Sequence, residues 1–298
     1  MDIKLPIEEF SKAQKKDKAQ EFYSKTLEII LNTLEDMKDE GRLNFFNEET
    51  TRIFPMGDYT NNTFIDENGE LEVVIASHNP QIILSNATFL KNLKLAKSKK
   101  EIAKINNNGT FDKIIVDFAN NLARYFDENT IILLINDGIK VFCYKEYSFK
   151  LLIRFATYDE GDENAILNFW DPINRTSLKC DLFLYNENME KKDKETNGNY
   201  KKLVRIYKNI RKNMLINKWA SSSELNKYFI ELIIYNIPSN LMKKDIIDAY
   251  IKSVNYLSNC NIYDFKAFDG SKITNFSLAK LTYANVQSFL NMLLNLIN

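Results

Sequence analysis

The chain has 298 residues, of which 45% are apolar and 27% charged, a balance typical of one large soluble domain or two lobes. Forty basic residues offset forty acidic ones, which excludes a global field that would attract a polyanion. Three widely spaced cysteines, Cys143, Cys180 and Cys260, provide neither a zinc motif nor a disulfide framework. Without a signal-like segment or a run of about 18 apolar residues, the sequence predicts a cytoplasmic protein with no membrane span.

Hydrophobic spacing predicts helices in the first part of the chain. Apolar residues three and four apart indicate one long helix over residues 7–39, which ends near Gly41. A turn and a strand follow, and the strand ends near Ser77. Residues 80–105, rich in lysine, and residues 111–126, with an apolar stripe, each predict a helix. The lysines of 80–105 indicate a solvated helix face, with a nucleic-acid surface as the alternative.

The hydrophobic period changes to that of strands in the middle of the chain. Residues 130–136 and 139–146 are apolar and β-branched and meet at Asn136-Asp137-Gly138, which predicts a hairpin. Three further strands are predicted over residues 148–157, 164–171 and 178–184.

The last third of the chain changes character again. Polar residues 186–199 predict a linker or loop, and the pattern after Tyr200 is helical. We therefore predict an α+β fold in two lobes. Residues 1–198 would form a mixed sheet with helices, including the long N-terminal helix, and residues 199–298 a C-terminal helical lobe.

Two glutamates alternate along an apolar strand, shortly after a turn that begins with Gly57. Because successive side chains of a strand point to opposite faces, Glu70 and Glu72 project from the same face. Two carboxylates on one face repel each other unless a cation lies between them, and carboxylate oxygens favour Mg²⁺. A solvated strand face is the alternative interpretation.

The helix predicted after Tyr200 carries cations along one side. Lys201, Arg205, Lys208 and Lys212 follow at spacings of four, three and four, and apolar residues line the roughly opposite side. A basic stripe that faces a cleft would suit a triphosphate, whereas the alternative is a solvated helix face.

These motifs resemble the cGAS/DncV-like nucleotidyltransferases, or CD-NTases, of the polymerase-β superfamily. That superfamily has a Gly-Ser turn, a Thr several residues later and an Asp/Glu-x-Asp/Glu strand. The matching residues are Gly57, Thr63, Glu70 and Glu72. The helical half of the CD-NTases is similar to residues 199–211 and 227–238, and a strand of that group is similar to residues 165–171.

The resemblance implies a polymerase-β-like nucleotidyltransferase lobe joined to an OAS-like helical lobe. It implies that Glu70 and Glu72 are catalytic and hold Mg²⁺ or Mn²⁺. The residues implied to bind nucleotide or phosphate are Gly57, Asp58, Thr63, Arg205, Lys208 and Lys227. The expected partners are nucleoside triphosphates, with RNA or a defence-system protein as further partners of a monomer.

Three positions depart from the family pattern. Leu152 stands where the third catalytic Asp is expected, Asp58 replaces the Ser of the Gly-Ser turn, and Lys227 replaces a phosphate-contacting Ser. Leucine cannot coordinate a metal, and a carboxylate at position 58 repels a triphosphate unless a metal recruits it. Asp181, on a predicted strand, is the best substitute for the third metal-binding carboxylate.

Two functions remain open at this point. The first is an enzyme that joins NTPs into a cyclic or linear oligonucleotide signal for anti-phage defence and releases pyrophosphate. The second is a catalytically degenerate family member that binds nucleotide, RNA or a protein partner. A nucleotidyltransferase toxin is a third reading, for which the sequence offers nothing specific.

Overall fold

A computed structural model describes residues 6–13, 17–40, 51–65, 70–77, 110–135, 138–142, 150–158, 166–171, 176–216, 227–270 and 283–296. The chain divides into two compact units. The sheet unit comprises Lys15–Thr60 and Asp66–Phe183, and the helical unit comprises Met1–Gln14, Asn61–Ile65 and Leu184–Asn298. The predicted division between residues 198 and 199 differs from this one. Residues 1–14, residues 61–65 and the residues from Leu184 onward all belong to the same unit as the C-terminal helices.

Within the residues that the structure describes, seven strands form one mixed sheet. They are β1 (Thr51–Met56), β2 (Glu70–Ser77), β3 (Ile131–Ile135), β4 (Gly138–Phe142), β5 (Lys150–Tyr158), β6 (Ile166–Asp171) and β7 (Thr176–Asp181). The main order is β1-β2-β5-β4-β3, and β6 pairs with both β5 and β7. Strands β2 and β5 run parallel, and the other described pairs are antiparallel. The predicted acidic strand, hairpin and third and fourth strands are thereby confirmed, whereas β1 was not predicted.

Two helices belong to the sheet unit, as far as it is described: α2 (Asp17–Asp39) and α3 (Thr110–Leu122), the latter extended by a 3₁₀ turn over Ala123–Tyr125. The stripe predicted for α3 is buried at Phe118 and Leu122. Phe118 meets Phe155 of β5 edge to face, with ring centroids 5.4 Å apart, so α3 contributes directly to the core over the sheet.

The helical unit is built from further helices: α1 (Ile7–Ser11), α4 (Leu182–Glu195), α5 (Asn199–Ile216), α6 (Lys227–Tyr235), α7 (Ile246–Asn259) and α8 (Tyr283–Asn295). The first two residues of α4 group with the sheet unit. Helix α5 is the centre of the core, since Tyr200, Leu203, Ile206 and Tyr207 are all fully buried. The helical pattern predicted after Tyr200 is therefore confirmed.

The single long N-terminal helix predicted over residues 7–39 is wrong. Helix α1 ends at Ser11, and Lys12 is extended at φ −67° and ψ 137°. The Ser11 carbonyl accepts a hydrogen bond from Arg205 Nε at 2.7 Å, and the Phe10 carbonyl accepts one from Asn209 Nδ2 at 3.2 Å. Side chains of α5 thus replace the amide donors that a continuous helix would supply to these carbonyls.

The loop predicted over residues 186–199 is also wrong, because most of it is helix α4. Its many Glu and Lys residues are good helix formers as well as polar ones. Leu182, Tyr185 and Met189 are buried at helical spacings and anchor it. A short turn then leads into α5, and in it Gly198 adopts φ +79° and donates its amide to the Asp193 carbonyl at 2.8 Å.

The lysine-rich helix predicted over residues 80–105 lies outside the described residues. Of the helices that are described, none has both the length and the apolar character required to cross a bilayer.

A buried hydroxyl on α7 yields a stability prediction. Tyr250 is 2% exposed, and its hydroxyl finds no hydrogen-bond partner among the described residues. Because an unmade hydrogen bond in the interior costs about 1–3 kcal/mol, we expect Tyr250→Phe to leave the free energy of unfolding unchanged or to raise it by about 1 kcal/mol. Urea unfolding measures this change.

Tyr207 provides the matched control, since its ring lies 5.8 Å from that of Tyr250 and its hydroxyl bonds Ser253 Oγ at 2.7 Å. Ser253 Oγ donates onward to the Tyr250 carbonyl at 2.6 Å, so the Tyr207 hydroxyl is the donor of this pair. Tyr207→Phe should lower stability by about 1 kcal/mol. Equal losses in the two variants would contradict the assignment of Tyr250 as unsatisfied.

Candidate functional site

The two glutamates predicted to share a face do so, and each is ion-paired within the sheet unit. Glu70 pairs with Lys140 of β4, and Glu72 pairs with Arg154 of β5, through its Nε atom. The four side chains are between 17% and 28% exposed. The positive charge that two neighbouring carboxylates require is therefore supplied by the protein itself.

The strand register explains how these groups meet. Glu72 on β2, Leu152 on β5 and Lys140 on β4 are register partners across three adjacent strands, so they form one row on the sheet. Glu70 begins the next row beside Lys150, and Arg154 belongs to the row on the other side. Lys140 and Arg154 thus reach diagonally to the two glutamates.

Glu70 and Glu72, which we call the acid pair, form with Lys140 and Arg154 what we call the acid–cation face of the sheet. Leu152 occupies the middle of this face. It is 5% exposed, and its Cα is the register partner of both Glu72 and Lys140. The expected position of the third catalytic carboxylate therefore lies beside the acid pair, as the sequence predicts. It holds an aliphatic side chain with no atom that can bind a metal ion.

The glycine turn after β1 lies against the acid pair. Gly57 has φ +78°, a conformation that residues with a Cβ rarely adopt. A Cβ on Gly57 would lie 3.1 Å from Glu72 Oε2, so the backbone of the turn closely approaches this carboxylate. Asp58 follows directly and is buried. The turn and the acidic strand therefore lie next to each other, and their joint use as a nucleotide site stays a prediction.

Asp181 is not brought to the acid pair. Cys180 is the register partner of Leu167, which in turn pairs with Tyr158 near the end of β5. Leu152 lies six residues earlier on β5, so about 20 Å of strand separates the two places. Among the described residues, no group of three or more His, Cys, Asp or Glu side chains could hold a metal ion. The carboxylates described at the acid pair therefore do not by themselves form the donor set of a two-metal centre.

In the helical unit, Lys208 lies in a buried polar cluster rather than on a solvated face. It is 2% exposed, and its Nζ donates to Glu231 Oε1 at 2.6 Å and to Thr63 Oγ1 at 3.0 Å. Glu231, also 2% exposed, accepts from Thr63 Oγ1 at 2.7 Å and from the Tyr185 hydroxyl. We call Lys208, Glu231, Thr63 and Tyr185 the buried cluster. Asn61 extends it, with Nδ2 donating to the Tyr185 hydroxyl at 2.9 Å.

The other cations of the α5 stripe are also engaged by protein groups. Arg205 is buried and donates to the Ser11 and Asn62 carbonyls, both at 2.7 Å, and burial lowers the pKa of its guanidinium. Lys201 is buried against Glu190. The interpretation of the stripe as a solvated helix face is therefore wrong. Phosphate binding by Arg205 and Lys208 stays a prediction, as it does for Lys227, the first residue of α6.

Sequence reasoning missed several residues of these two clusters. A glutamate inside the apolar run of α6 was a signal for Glu231, because a buried charge requires a partner. Lys140, in the apolar strand β4, was a similar signal. Its pairing with Glu70, and that of Arg154 with Glu72, depend on the β2–β5 and β4–β5 registers, which a single sequence does not reveal.

Comparisons with known proteins find similarity to one family of nucleotidyltransferases. Residues 187–298 match the model of the cGAS/DncV-like nucleotidyltransferase C-terminal helical domain. The chain is 27% identical over 220 residues to the cyclic nucleotide synthase CdnE01 of Staphylococcus haemolyticus, a match that covers 62% of this chain and 63% of that protein. It therefore spans less than two thirds of that relative's length. The cyclic UMP-AMP synthase of Rhodothermus marinus is 23% identical over 227 residues, covering 73% of this chain and 74% of that protein.

Solved structures agree with this result at the level of the fold. The Rhodothermus marinus CdnE c-UMP-AMP synthase with Apcpp and Upnpp superposes with a TM-score of 0.67 at 18% identity and covers 98% of this chain and 94% of that chain. The E. coli MS115-1 CdnC with ATP gives 0.65 at 14% identity, covering 97% and 88%. The fold is that of an α+β nucleotidyltransferase with a helical C-terminal part. Residues 187–298 therefore match the C-terminal helical domain of the cGAS/DncV-like nucleotidyltransferases, or CD-NTases, and the chain as a whole is similar to members of that family.

Proposed function

We propose that this protein is a nucleotide-binding member of the CD-NTase family whose site does not catalyse nucleotidyl transfer by the two-metal mechanism. The observation that carries the proposal is Leu152, the register partner of Glu72, at the place of the third carboxylate. Two-metal transfer requires carboxylates that can bind both ions. Here the strands β2, β4 and β5 offer two, Glu70 and Glu72, and both are already ion-paired.

Nucleoside triphosphates are the proposed ligands. Solved relatives with the same fold hold Apcpp and Upnpp, GTP and Apcpp, or ATP. The Gly57 turn, where the family pattern expects phosphate contacts, has a positive φ and lies close to Glu72. A protein partner is a further proposal, supported by the solved complex of E. coli CdnC with a HORMA protein.

Synthesis of a cyclic or linear oligonucleotide signal is the second candidate function. The names of the two curated relatives favour it, since both are cyclic nucleotide synthases. In that case Glu70, Glu72 and the neighbouring Asp58 would supply the ligands for Mg²⁺ or Mn²⁺. Lys140 and Arg154 would have to leave the acid pair first.

One experiment separates the two candidates. Labelled ATP, GTP, CTP and UTP are incubated with the protein and Mg²⁺ or Mn²⁺, while nucleotide binding is measured by equilibrium dialysis. We expect saturable binding of at least one nucleotide, with no pyrophosphate release and no oligonucleotide product above the background. The physical reason is that Leu152 cannot complete the metal site.

The contradicting outcome is turnover by the unmodified protein that Glu72→Gln abolishes. Glu128→Gln is the matched control, because it removes a carboxylate from an exposed position of the same unit. Turnover that both variants retain would indicate a contaminating enzyme. Absence of binding for all four nucleotides would overturn the proposal that the protein is a nucleotide-binding module.

A further inference from the structure

We infer that Lys140 and Arg154 are built-in counter-cations that keep divalent metal ions off the acid pair, so that nucleotide binding to this protein does not depend on Mg²⁺. The Mg²⁺ independence of nucleotide binding rests on the proposed function, whereas the role of Lys140 and Arg154 depends only on contacts within the sheet unit. Nothing in the family pattern assigns these two residues a role.

The charges of the acid–cation face balance within a small area. Glu70 and Glu72 contribute two negative charges, and their ion-pair partners Lys140 and Arg154 contribute two positive ones. Each side chain is less than a third exposed, so water screens these pairs less than it screens pairs on an open surface. A divalent ion is attracted to uncompensated carboxylates, and both carboxylates of the described acid pair, Glu70 and Glu72, are compensated.

Entry of a metal ion would require the displacement of both cations. A bound Mg²⁺ would repel the ammonium of Lys140 and the guanidinium of Arg154, whose backbones are fixed in β4 and β5 next to the acid pair. Leu152, the register partner of Glu72 and Lys140, offers no ligand to a metal ion. Loss of its water ligands is also unfavourable for Mg²⁺, and two ion-paired carboxylates would not compensate for that loss.

Both cations can be removed without an obvious loss of the strands. Valine favours strands, and position 140 lies within β4 and position 154 within β5. The Lys140→Val/Arg154→Val variant leaves Glu70 and Glu72 as two carboxylates on one face, which is the arrangement that attracts a divalent ion.

The test is a titration with Mn²⁺ followed by electron paramagnetic resonance. We expect no saturable binding to the unmodified protein at millimolar Mn²⁺, and an affinity at least about tenfold higher in Lys140→Val/Arg154→Val. The matched control is Arg124→Ala/Lys252→Ala, which removes two cations that are also ion-paired to carboxylates, but at other places. It should bind Mn²⁺ no better than the unmodified protein.

Thermal unfolding provides a second measurement in case the valine variant is unstable. Mn²⁺ should raise the melting temperature of Lys140→Val/Arg154→Val and leave that of the unmodified protein unchanged. Saturable Mn²⁺ binding by the unmodified protein, lost in Glu72→Gln, would overturn the inference. Equal, weak binding by the unmodified protein and the valine variant in both measurements would overturn it as well.

The Mg²⁺ independence of nucleotide binding is tested separately. The affinity of the unmodified protein for ATP should change less than about threefold between EDTA and excess Mg²⁺. ATP binding that requires Mg²⁺ would overturn the inference that nucleotide binding is independent of the metal ion. Absence of ATP, GTP, CTP and UTP binding in both conditions would instead overturn the proposed function, while the Mn²⁺ titration would still decide the role of Lys140 and Arg154.

Discussion

Lys208→Met is expected to lower the free energy of unfolding by about 3–5 kcal/mol, because it removes the cation from a carboxylate buried in the helical unit. Glu231 would retain its hydrogen bonds from Thr63 and Tyr185 but would carry an uncompensated charge at 2% exposure. Urea unfolding followed by circular dichroism measures the loss.

The double variant Lys208→Met/Glu231→Leu should be more stable than Lys208→Met alone. Replacement of both partners removes the uncompensated charge, although the hydroxyls of Thr63 and Tyr185 lose an acceptor. We expect recovery of at least about 1 kcal/mol, which a double-mutant cycle would report as coupling between the two residues.

Lys201→Met is the matched control for this cycle. Lys201 lies on the same helix and is also ion-paired, but its partner Glu190 is 52% exposed and can be solvated once the lysine is gone. A loss of about 0–1 kcal/mol is expected for such a pair. If Lys208→Met costs no more than Lys201→Met, the buried cluster does not stabilise the helical unit as argued.

Gly138→Ala is expected to destabilise the protein by about 3 kcal/mol or more. A Cβ at Gly138 would lie 2.0 Å from the Ile153 carbonyl oxygen, which belongs to the backbone of β5 and cannot rotate away. Strand β4 would have to separate from β5 at the end where Gly138 is the register partner of Arg154. Thermal and urea unfolding both report this change.

Gly198→Ala and Gly270→Ala are the controls, since they separate steric overlap from backbone conformation. Both glycines have positive φ, +79° and +80°, and a Cβ at either would meet nothing within 4 Å. The left-handed conformation alone should cost about 1–2 kcal/mol. A loss in Gly138→Ala no larger than in these two variants would show that β4 and β5 are not held as closely as the structure indicates.

Local patterns predicted those parts of the fold that depend on neighbouring residues. Alternation along β2 gave Glu70 and Glu72 a common face, and the Asn-Asp-Gly signal predicted the β3–β4 hairpin, in which Ile135 pairs with Gly138. Alternation on β5 also placed Leu152 and Arg154 on the face that bears the glutamates. These predictions held because the period of a strand is a property of the strand itself.

Parts that depend on distant segments could not be predicted from the sequence. The end of α1 at Ser11 is set by Arg205 and Asn209, almost 200 residues away along the chain. Helix α4 was predicted to be a loop, because its many charged residues leave only a narrow stripe of buried apolar residues. Lys208 was correctly placed on a helix, but its ion pair with Glu231 depends on the packing of α5 against α6.

The ion pairs around Leu152 also bear on how a metal site could be engineered on this sheet. Leu152→Asp alone would add a third negative charge to a face whose charges now balance, and loss of Arg154 alone would take the guanidinium away from Glu72. Each single step toward a metal-binding trio is therefore unfavourable by itself. Conversion of this face into a metal site would therefore require substitutions at several of these positions together, rather than at any one of them.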